Sequence, residues 1–350
     1  MMRLVKKLAR MPLSLKNIFI LCVFIACFST PILAQDFYWE DPIKISSNSS
    51  MFPSFATNNN PENMVSVLIW QNVVQNRSKK EIYLSAKIYS ESNGIQSWVV
   101  KENFAGPFTF SGEVPNISSV SVNKNGVIAV AVLSSTKSVS VFTTQVSSQK
   151  NMQEESSKDE NGFSESDISQ EQGSYEFSRY DLKNSTDSAV APRIYASSNG
   201  GFIIFATKSS TKGDISTFSF LQSQSPDGKK WSDFSAFKPT EKTSNPFVPF
   251  LYSHNGIDYL VFQASHTTVD EVNVNKSKRT YQIYSCYSTD SGRTWTEPVL
   301  ITDDTVKSLN SSSDAKFDNY QNQNPTLISY QDKMYIAWEK THRSEERRVG

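Results

Sequence analysis

An eight-residue motif of the form S-x-D-x-G-x-x-W spans residues 288–295, and its residue types suit a tight turn. Asp290 offers a short carboxylate that can accept hydrogen bonds from backbone N–H groups inside the turn. Gly292 can take a positive φ without steric cost, and Trp295 can cover the hairpin while burying a large apolar area. The chemistry expected of this motif is therefore structural rather than catalytic.

Two other stretches repeat the motif in weaker form. A shortened copy spans residues 225–231, and a decayed copy at 90–98 lacks the aspartate. Each copy lies between an alternating segment and the last strand of a repeat, where a hairpin turn is required. The residues predicted to build the two better turns are Ser225, Asp227, Gly228, Trp231, Ser288, Asp290, Gly292 and Trp295.

The elements around these turns recur about every sixty residues. Tryptophans at 39, 98, 231 and 295 are separated by 59, 133 and 64 residues, and prolines at 53, 115, 192, 249 and 325 mark a similar period. Each unit has a strand led by proline, a second strand that is nearly continuous in apolar residues, an alternating third strand, and a final strand after the turn. Four strands per repeat describe a β-propeller blade, so we predict an all-β propeller of four-stranded antiparallel blades. The count is about four blades plus the first two strands of a fifth.

The motif and its spacing resemble the BNR or Asp-box repeat proteins, whose best-known members are the sialidases. The resemblance covers roughly residues 36–341. It implies that Asp227 and Asp290 are folding elements on the outer part of a blade, away from a central site. It also implies a sialidase-like propeller whose central face binds a sugar.

Sialidases hold the substrate carboxylate with three arginines, since a fixed fork of donors suits a planar anion. The family's first arginine lies in an Arg-Ile-Pro motif, and this chain has Met51-Phe52-Pro53 there; at the second position it has Gln71-Asn72. Arg193, directly after Pro192, is the one weak catalytic candidate. A full triad would also need Arg77, Arg179 or Arg279, all placed near loops.

Other site chemistries are absent from the sequence. His254, His266 and His342 lack metal-ligand spacing, and no phosphate-binding glycine loop or nucleophile elbow occurs. We therefore predict no metal and no cofactor. Cys286 is predicted to be a buried small hydrophobe on a strand.

Residues 1–34 are typical of a secretory signal peptide. Five Lys and Arg residues precede an apolar run over 18–28, which is too short for the roughly 20 residues that span a bilayer. We predict cleavage after Ala34, with lipidation of Cys27 as the alternative. The protein is then periplasmic, secreted or on the outer surface, with no transmembrane span after cleavage.

The remaining body is acidic and contains unusual segments. Without the signal its formal net charge is −5, which argues against a nucleic-acid partner. Residues 148–175 are rich in Ser and acids and are predicted to be a disordered insertion in the second blade. Residues 35–342 form the predicted propeller, and residues 343–350 resemble a non-native tail, which would make the chain a fragment.

Three functions remain open from the sequence. The first is an exported propeller that binds a glycan or cell-surface protein, without catalysis. The second is a sialidase-like exo-glycoside hydrolase with part of its site in a missing C-terminal portion. The third is a purely structural envelope component.

Overall fold

The computed structural model describes residues 50–58, 60–76, 79–92, 95–110, 112–135, 138–146, 175–183, 192–212, 215–269, 277–302 and 320–342, which belong to one compact unit. The predicted signal peptide with Cys27 and Ala34, the segment around Trp39, and the tail at 343–350 lie outside these residues. So does the predicted insertion at 148–175, apart from Tyr175.

The described chain forms five antiparallel sheets, and within each sheet the strands lie side by side in chain order. Sheet 1 contains β1 (Ser50–Thr57), β2 (Asn63–Asn76), β3 (Lys79–Ser92) and β4 (Ile95–Phe110). Sheet 2 contains β5 (Ser118–Val122), β6 (Val127–Ser135), β7 (Ser138–Gln145) and β8 (Ser178–Leu182).

Sheets 3 and 4 each end in a very short strand. Sheet 3 contains β9 (Arg193–Ala196), β10 (Phe202–Lys212), β11 (Ile215–Ser225) and β12 (Ser235–Ala236), followed by a 3-10 helix over Lys238–Lys242. Sheet 4 contains β13 (Ser244–His254), β14 (Ile257–Val269), β15 (Ser277–Ser288) and β16 (Val299–Leu300). Sheet 5 has two described strands, β17 (Tyr320–Tyr330) and β18 (Lys333–His342).

The sheets pack as the blades of a propeller. The first strand of each sheet contacts the first strand of the next, from β1 through β5, β9 and β13 to β17. Apolar layers fill the spaces between blades, one joining sheets 1, 2 and 3, one joining sheets 3 and 4, and one joining sheets 4 and 5. The predicted all-β class, with four four-stranded blades and two strands of a fifth, is confirmed for the described residues.

Burial of the second strands depends on the neighbours of each blade. All residues of Val127–Leu133 are buried, because sheet 2 packs between sheets 1 and 3. The second strand of the fifth unit has the same kind of apolar run, Met334–Trp338, which predicts burial on both faces, and this prediction is wrong. Met334 and Ile336 pack against sheet 4, whereas Tyr335 is 47% exposed on the opposite face of β18.

The structure also describes the environment of Cys286 and the lengths of the helices. Cys286 is buried in β15, and burial raises the pKa of its thiol to about 12. Over the described ranges, no helix is long and apolar enough to cross a bilayer.

Candidate functional site

The ends of the blades at which the first strands begin share an unusual backbone feature. A residue with positive φ directly precedes a proline in three first strands: Phe52 before Pro53, Val248 before Pro249, and Asn324 before Pro325. The strand register shifts at each of these places. We call this edge of the molecule the first-strand end.

A positive φ is costly for two of these residues. Asn tolerates the left-handed region, but Phe52 (φ 51°) and Val248 (φ 50°) are bulky and adopt it at a cost of order 1–3 kcal/mol each. Strain and bulges of this kind cluster next to binding and active sites, where they redirect side chains. The first-strand end is therefore the candidate site.

Buried amides hold the blades together at the same edge. The Gln71 amide donates to the Pro115 carbonyl (2.9 Å) and accepts from the Ile117 N–H (2.8 Å), which joins β2 to the start of sheet 2. The Gln263 carbonyl accepts the Asn324 N–H at 2.9 Å and joins β14 to β17 in the same way. Both glutamines are buried, so the direct contacts between blades are fixed here.

A row of partly exposed rings crosses this edge between sheets 3 and 4. The ring centroids of Phe218 and Phe247 are 4.4 Å apart, and those of Phe247 and Tyr281 are 6.4 Å apart. We call these three residues the aromatic row. Asn245 Oδ1 accepts the Phe218 N–H (3.0 Å) and Gln321 Oε1 accepts the Tyr281 N–H (2.7 Å), so each amide flanks the row.

The NH₂ groups of the flanking amides remain available. Asn245 Nδ2 and Gln321 Nε2 make no hydrogen bond to any residue that the structure describes. The row therefore combines flat apolar surfaces with free amide donors. The sequence alone did not single out these residues. The signal that could have found the two amides is their shared position, since Asn245 and Gln321 each stand four residues before a blade proline.

The positions of the family's first two arginines hold other groups. Met51, two residues before Pro53, is 41% exposed at the start of β1. At the second position, the Gln71 side chain forms its hydrogen bonds with backbone groups at the start of sheet 2. Its neighbour Asn72 donates to Ser85 Oγ (2.8 Å) and accepts from Ser50 Oγ (3.0 Å).

Arg193 lies in a different register from a family arginine. It is exposed, begins β9 opposite Phe205, and stands one residue after Pro192 rather than two before it. No hydrogen bond or ion pair joins it to another described residue, and none links it to Met51 or Gln71. Its role as a catalytic candidate stays a prediction.

Arg179 and Arg279, two other arginines of the predicted triad, lie on different sheets from Arg193. Arg179 lies on β8, where it pairs with Asp181 at 2.9 Å and faces the Phe142 ring. Arg279 lies on β15 opposite Thr267. Arg77 is outside the described residues.

The opposite ends of sheets 3 and 4 carry the two predicted turns. In the turn at 288–295, Asp290 Oδ1 accepts the Thr294 N–H (2.8 Å) and its Oδ2 accepts the Thr294 hydroxyl (2.6 Å). Ser288 Oγ accepts the Gly292 N–H (2.8 Å), and Gly292 has φ 85°. The Trp295 indole donates to the Gly292 carbonyl at 3.0 Å and closes the turn.

The shortened turn at 225–231 is closed by a similar set of contacts with fewer residues. Asp227 Oδ1 accepts the N–H groups of Lys229 (2.8 Å) and Lys230 (3.0 Å). Ser225 Oγ accepts the Gly228 N–H (2.8 Å), and the Trp231 indole donates to the Gly228 carbonyl (3.0 Å). Gly228 has φ 78°. Membership of either turn in the Asp-box family stays a prediction from the sequence.

Both turn carboxyls have lowered pKa values. Backbone donors, first that of Lys229, lower the pKa of Asp227 below 3.8. Burial alone would raise the pKa of Asp290, but hydrogen bonds from Thr294 and Ser288 outweigh it and leave that pKa lowered as well. Both groups are ionised at neutral pH and accept hydrogen bonds within their own turns.

The decayed copy at 90–98 has a different geometry. Trp98 lies within β4 opposite Tyr89, with 58% of its surface exposed, and Lys87 lies 4.6 Å from its ring centroid. The tryptophan therefore covers part of the sheet 1 surface rather than closing a turn. The missing aspartate removes the acceptor that wraps the other two turns.

Two histidines, His266 and His254, lie near polar groups of neighbouring strands or blades. His266 Nδ1 lies 2.9 Å from the Tyr284 hydroxyl on the neighbouring strand, and His254 Nε2 lies 3.8 Å from Asp332. Within the described ranges, no group of three or more His, Cys, Asp or Glu side chains is placed to hold a metal ion.

Comparison with known proteins gives structural likenesses only. No protein-family model and no curated protein matches the chain. Trypanosoma rangeli sialidase in complex with the inhibitor DANA is 12% identical, with 83% of this chain and 43% of that chain covered and a TM-score of 0.36. Cellvibrio cellulosa α-L-arabinanase complexed with arabinohexaose is 11% identical, with 78% and 86% covered and a TM-score of 0.30. Likeness at this level identifies neither a ligand nor a reaction for this chain.

Proposed function

We propose that this chain is an exported β-propeller that binds a glycan at its first-strand end without hydrolysing it. The observation that supports this function is the aromatic row of Phe218, Phe247 and Tyr281, with the free amide donors of Asn245 and Gln321 beside it. Small-molecule sites combine aromatic surfaces with a few placed polar groups. Flat rings suit the apolar face of a sugar, and amide N–H groups suit its hydroxyl oxygens.

The side chains at the family's arginine positions support binding rather than sialoside cleavage. Met51 provides a thioether, and the Gln71 amide is already hydrogen-bonded to the backbone of Pro115 and Ile117. Neither supplies the planar cationic fork that fixes a substrate carboxylate. A glycan held by the aromatic row would instead be bound through its hydroxyls and apolar faces.

Binding can be tested by applying the full chain to an immobilised panel of neutral and sialylated glycans. We expect the wild-type chain to retain a subset of neutral glycans. Phe247→Ala and Tyr281→Ala should each weaken retention at least tenfold, since each removes a ring from the row. Thermal melting identifies any loss that comes from unfolding.

Trp98→Ala is the matched control. Trp98 is an exposed aromatic residue on sheet 1, away from the row, so its removal should leave glycan retention unchanged. Equal losses in the Trp98 and Phe247 variants would contradict a site at the row. If the chain retains no glycan but captures a protein, and Phe247→Ala abolishes that capture, then the ligand of this site is a protein rather than a glycan.

A further inference from the structure

A groove of about 270 Å³ lies between sheets 3 and 4, near the turn at 288–295. One wall comes from β11, β12 and the segment through Lys238, and the other comes from Gly292 to Trp295. Phe218 of the aromatic row and Gln224 of the groove are six residues apart on β11. At about 3.3 Å per residue this is roughly 20 Å, so the groove is separate from the first-strand end.

Direct contacts between the two blades hold the walls of the groove in place. The Gln222 amide accepts from the Trp295 indole (3.0 Å) and donates to the Gly292 carbonyl (2.6 Å), which ties the two blades together. Phe237 packs edge-on against Trp295, with ring centroids 5.4 Å apart. Preorganised walls reduce the entropy cost of binding.

Several polar groups in the groove have no partner among the described residues. The Gln224 side-chain amide, the Lys238 ammonium and the Arg293 guanidinium make no hydrogen bond or ion pair there. None of the residues that line the groove is acidic. Two cations thus face a small cavity without a carboxylate to balance them.

We infer that this groove is a second binding site, which takes one carboxylated sugar unit. The Arg293 guanidinium and Lys238 ammonium supply the paired charges that a carboxylate needs, and Arg can bind it with two parallel hydrogen bonds. The Gln224 amide and the Ser235 hydroxyl can bond to ring hydroxyls. A volume just below the roughly 300–1,000 Å³ typical of pockets for drug-sized ligands suits a single sugar unit.

The inference is tested by titrating the full chain with D-glucuronate, with D-glucose as the neutral analogue and acetate as the bare carboxylate. Isothermal calorimetry should show saturable binding of glucuronate, at least tenfold tighter than that of glucose or acetate. Arg293→Gln with Lys238→Gln should remove the preference for glucuronate over glucose. Both side chains are exposed, so the melting temperature should stay unchanged.

Arg193→Gln is the matched control, because it removes an exposed arginine from the first-strand end instead. It should leave glucuronate binding unchanged. Loss of binding in this variant, with none in the groove variants, would place the ligand at the other site and overturn the inference. Acetate binding as tight as glucuronate binding, or no saturable glucuronate binding at all, would also overturn it. Neither result bears on glycan retention by the aromatic row.

Discussion

The two ends of the blades use polar residues in opposite ways. In the turns of sheets 3 and 4, Asp227 and Asp290 bond almost entirely to groups within four residues along the chain. At the first-strand end, Gln71 and Gln263 bond to the next blade, across tens of residues of sequence. The two turn aspartates are therefore satisfied locally, whereas the two glutamines of the first-strand end depend on how the blades assemble.

This difference separates stability from recognition. The turn aspartates have their acceptors already paired and have little left to offer a ligand. The binding groups inferred near the turn at 288–295 are instead Gln224, Lys238 and Arg293, whose side chains take no part in those bonds. The first-strand end keeps strained residues, partly exposed rings and free amide NH₂ groups on a scaffold fixed by buried bonds. Binding sites commonly have this combination of a rigid support and unsatisfied surface groups.

The largest effect is expected from Gln71→Ala. The substitution leaves the Ile117 N–H and the Pro115 carbonyl without their hydrogen-bond partner at a buried contact between blades. We therefore expect a loss of about 3 kcal/mol in the free energy of unfolding. Gln96→Ala, at an exposed position of β4, should change it by less than about 0.5 kcal/mol. Chemical denaturation measures both, and equal effects would remove the distinction between the two ends.

A smaller loss is expected from Asp290→Ala. It removes the acceptor for the Thr294 N–H and hydroxyl at a partly exposed turn, which should cost about 1–2 kcal/mol. Glycan retention by the folded protein should stay at the wild-type level. Normal stability with lost retention would make Asp290 a site residue and would contradict its assignment to the turn.

Relief of backbone strain should increase the free energy of unfolding, in contrast to the two losses above. Val248 has φ 50°, and Asn324 holds the corresponding place in β17. Val248→Asn should therefore stabilise the protein by about 1 kcal/mol, because Asn tolerates the left-handed region. Val299→Asn, on β16, serves as the control and should not stabilise it. A destabilised Val248→Asn variant would show that packing of the valine outweighs its strain.

The smallest effect concerns pH. Burial raises the pKa of Asp258 above 3.8, and the nearby charge of Asp290 adds to this. The folded state thus holds this proton more tightly, so Asp258 makes the protein less stable as pH rises through its raised pKa. The two turn aspartates act the other way, and their contribution is lost as pH falls through their lowered pKa values.

Asp258→Asn isolates the first of these contributions. Relative to the wild type, the variant should gain stability as pH rises from below 3.8 to 7, measured by denaturation at each pH. Asp227→Asn should show the reverse trend, because its pKa is lowered. Parallel curves for wild type and Asp258→Asn would contradict a raised pKa.

The sequence predicted the parts of the fold that are coded locally. The prolines marked the blades correctly, and the strand between Val127 and Leu133 is buried as its apolar run predicted. Exposure of Tyr335 was missed, since burial of a strand on both faces requires a neighbour on each side. The run of apolar residues alone does not specify that neighbour.

The candidate site was harder to predict for the same reason. Phe218, Phe247 and Tyr281 come from three strands in two blades, and only packing brings their rings together. Arg193 was singled out because it follows a blade proline, but its register differs from that of a family arginine. The residue types near the prolines do not determine the direction of the β-bulge in each first strand.

The most direct test of the central claim follows binding and cleavage in one preparation. The full chain, Phe247→Ala and Asp290→Ala are incubated with a retained glycan that carries a fluorescent reporter, and in parallel with a methylumbelliferyl sialoside. We predict that wild type and Asp290→Ala retain the labelled glycan, that Phe247→Ala does not, and that no protein releases fluorophore from either substrate. Release by the wild type that disappears in Arg193→Ala would contradict the account and make the chain a hydrolase.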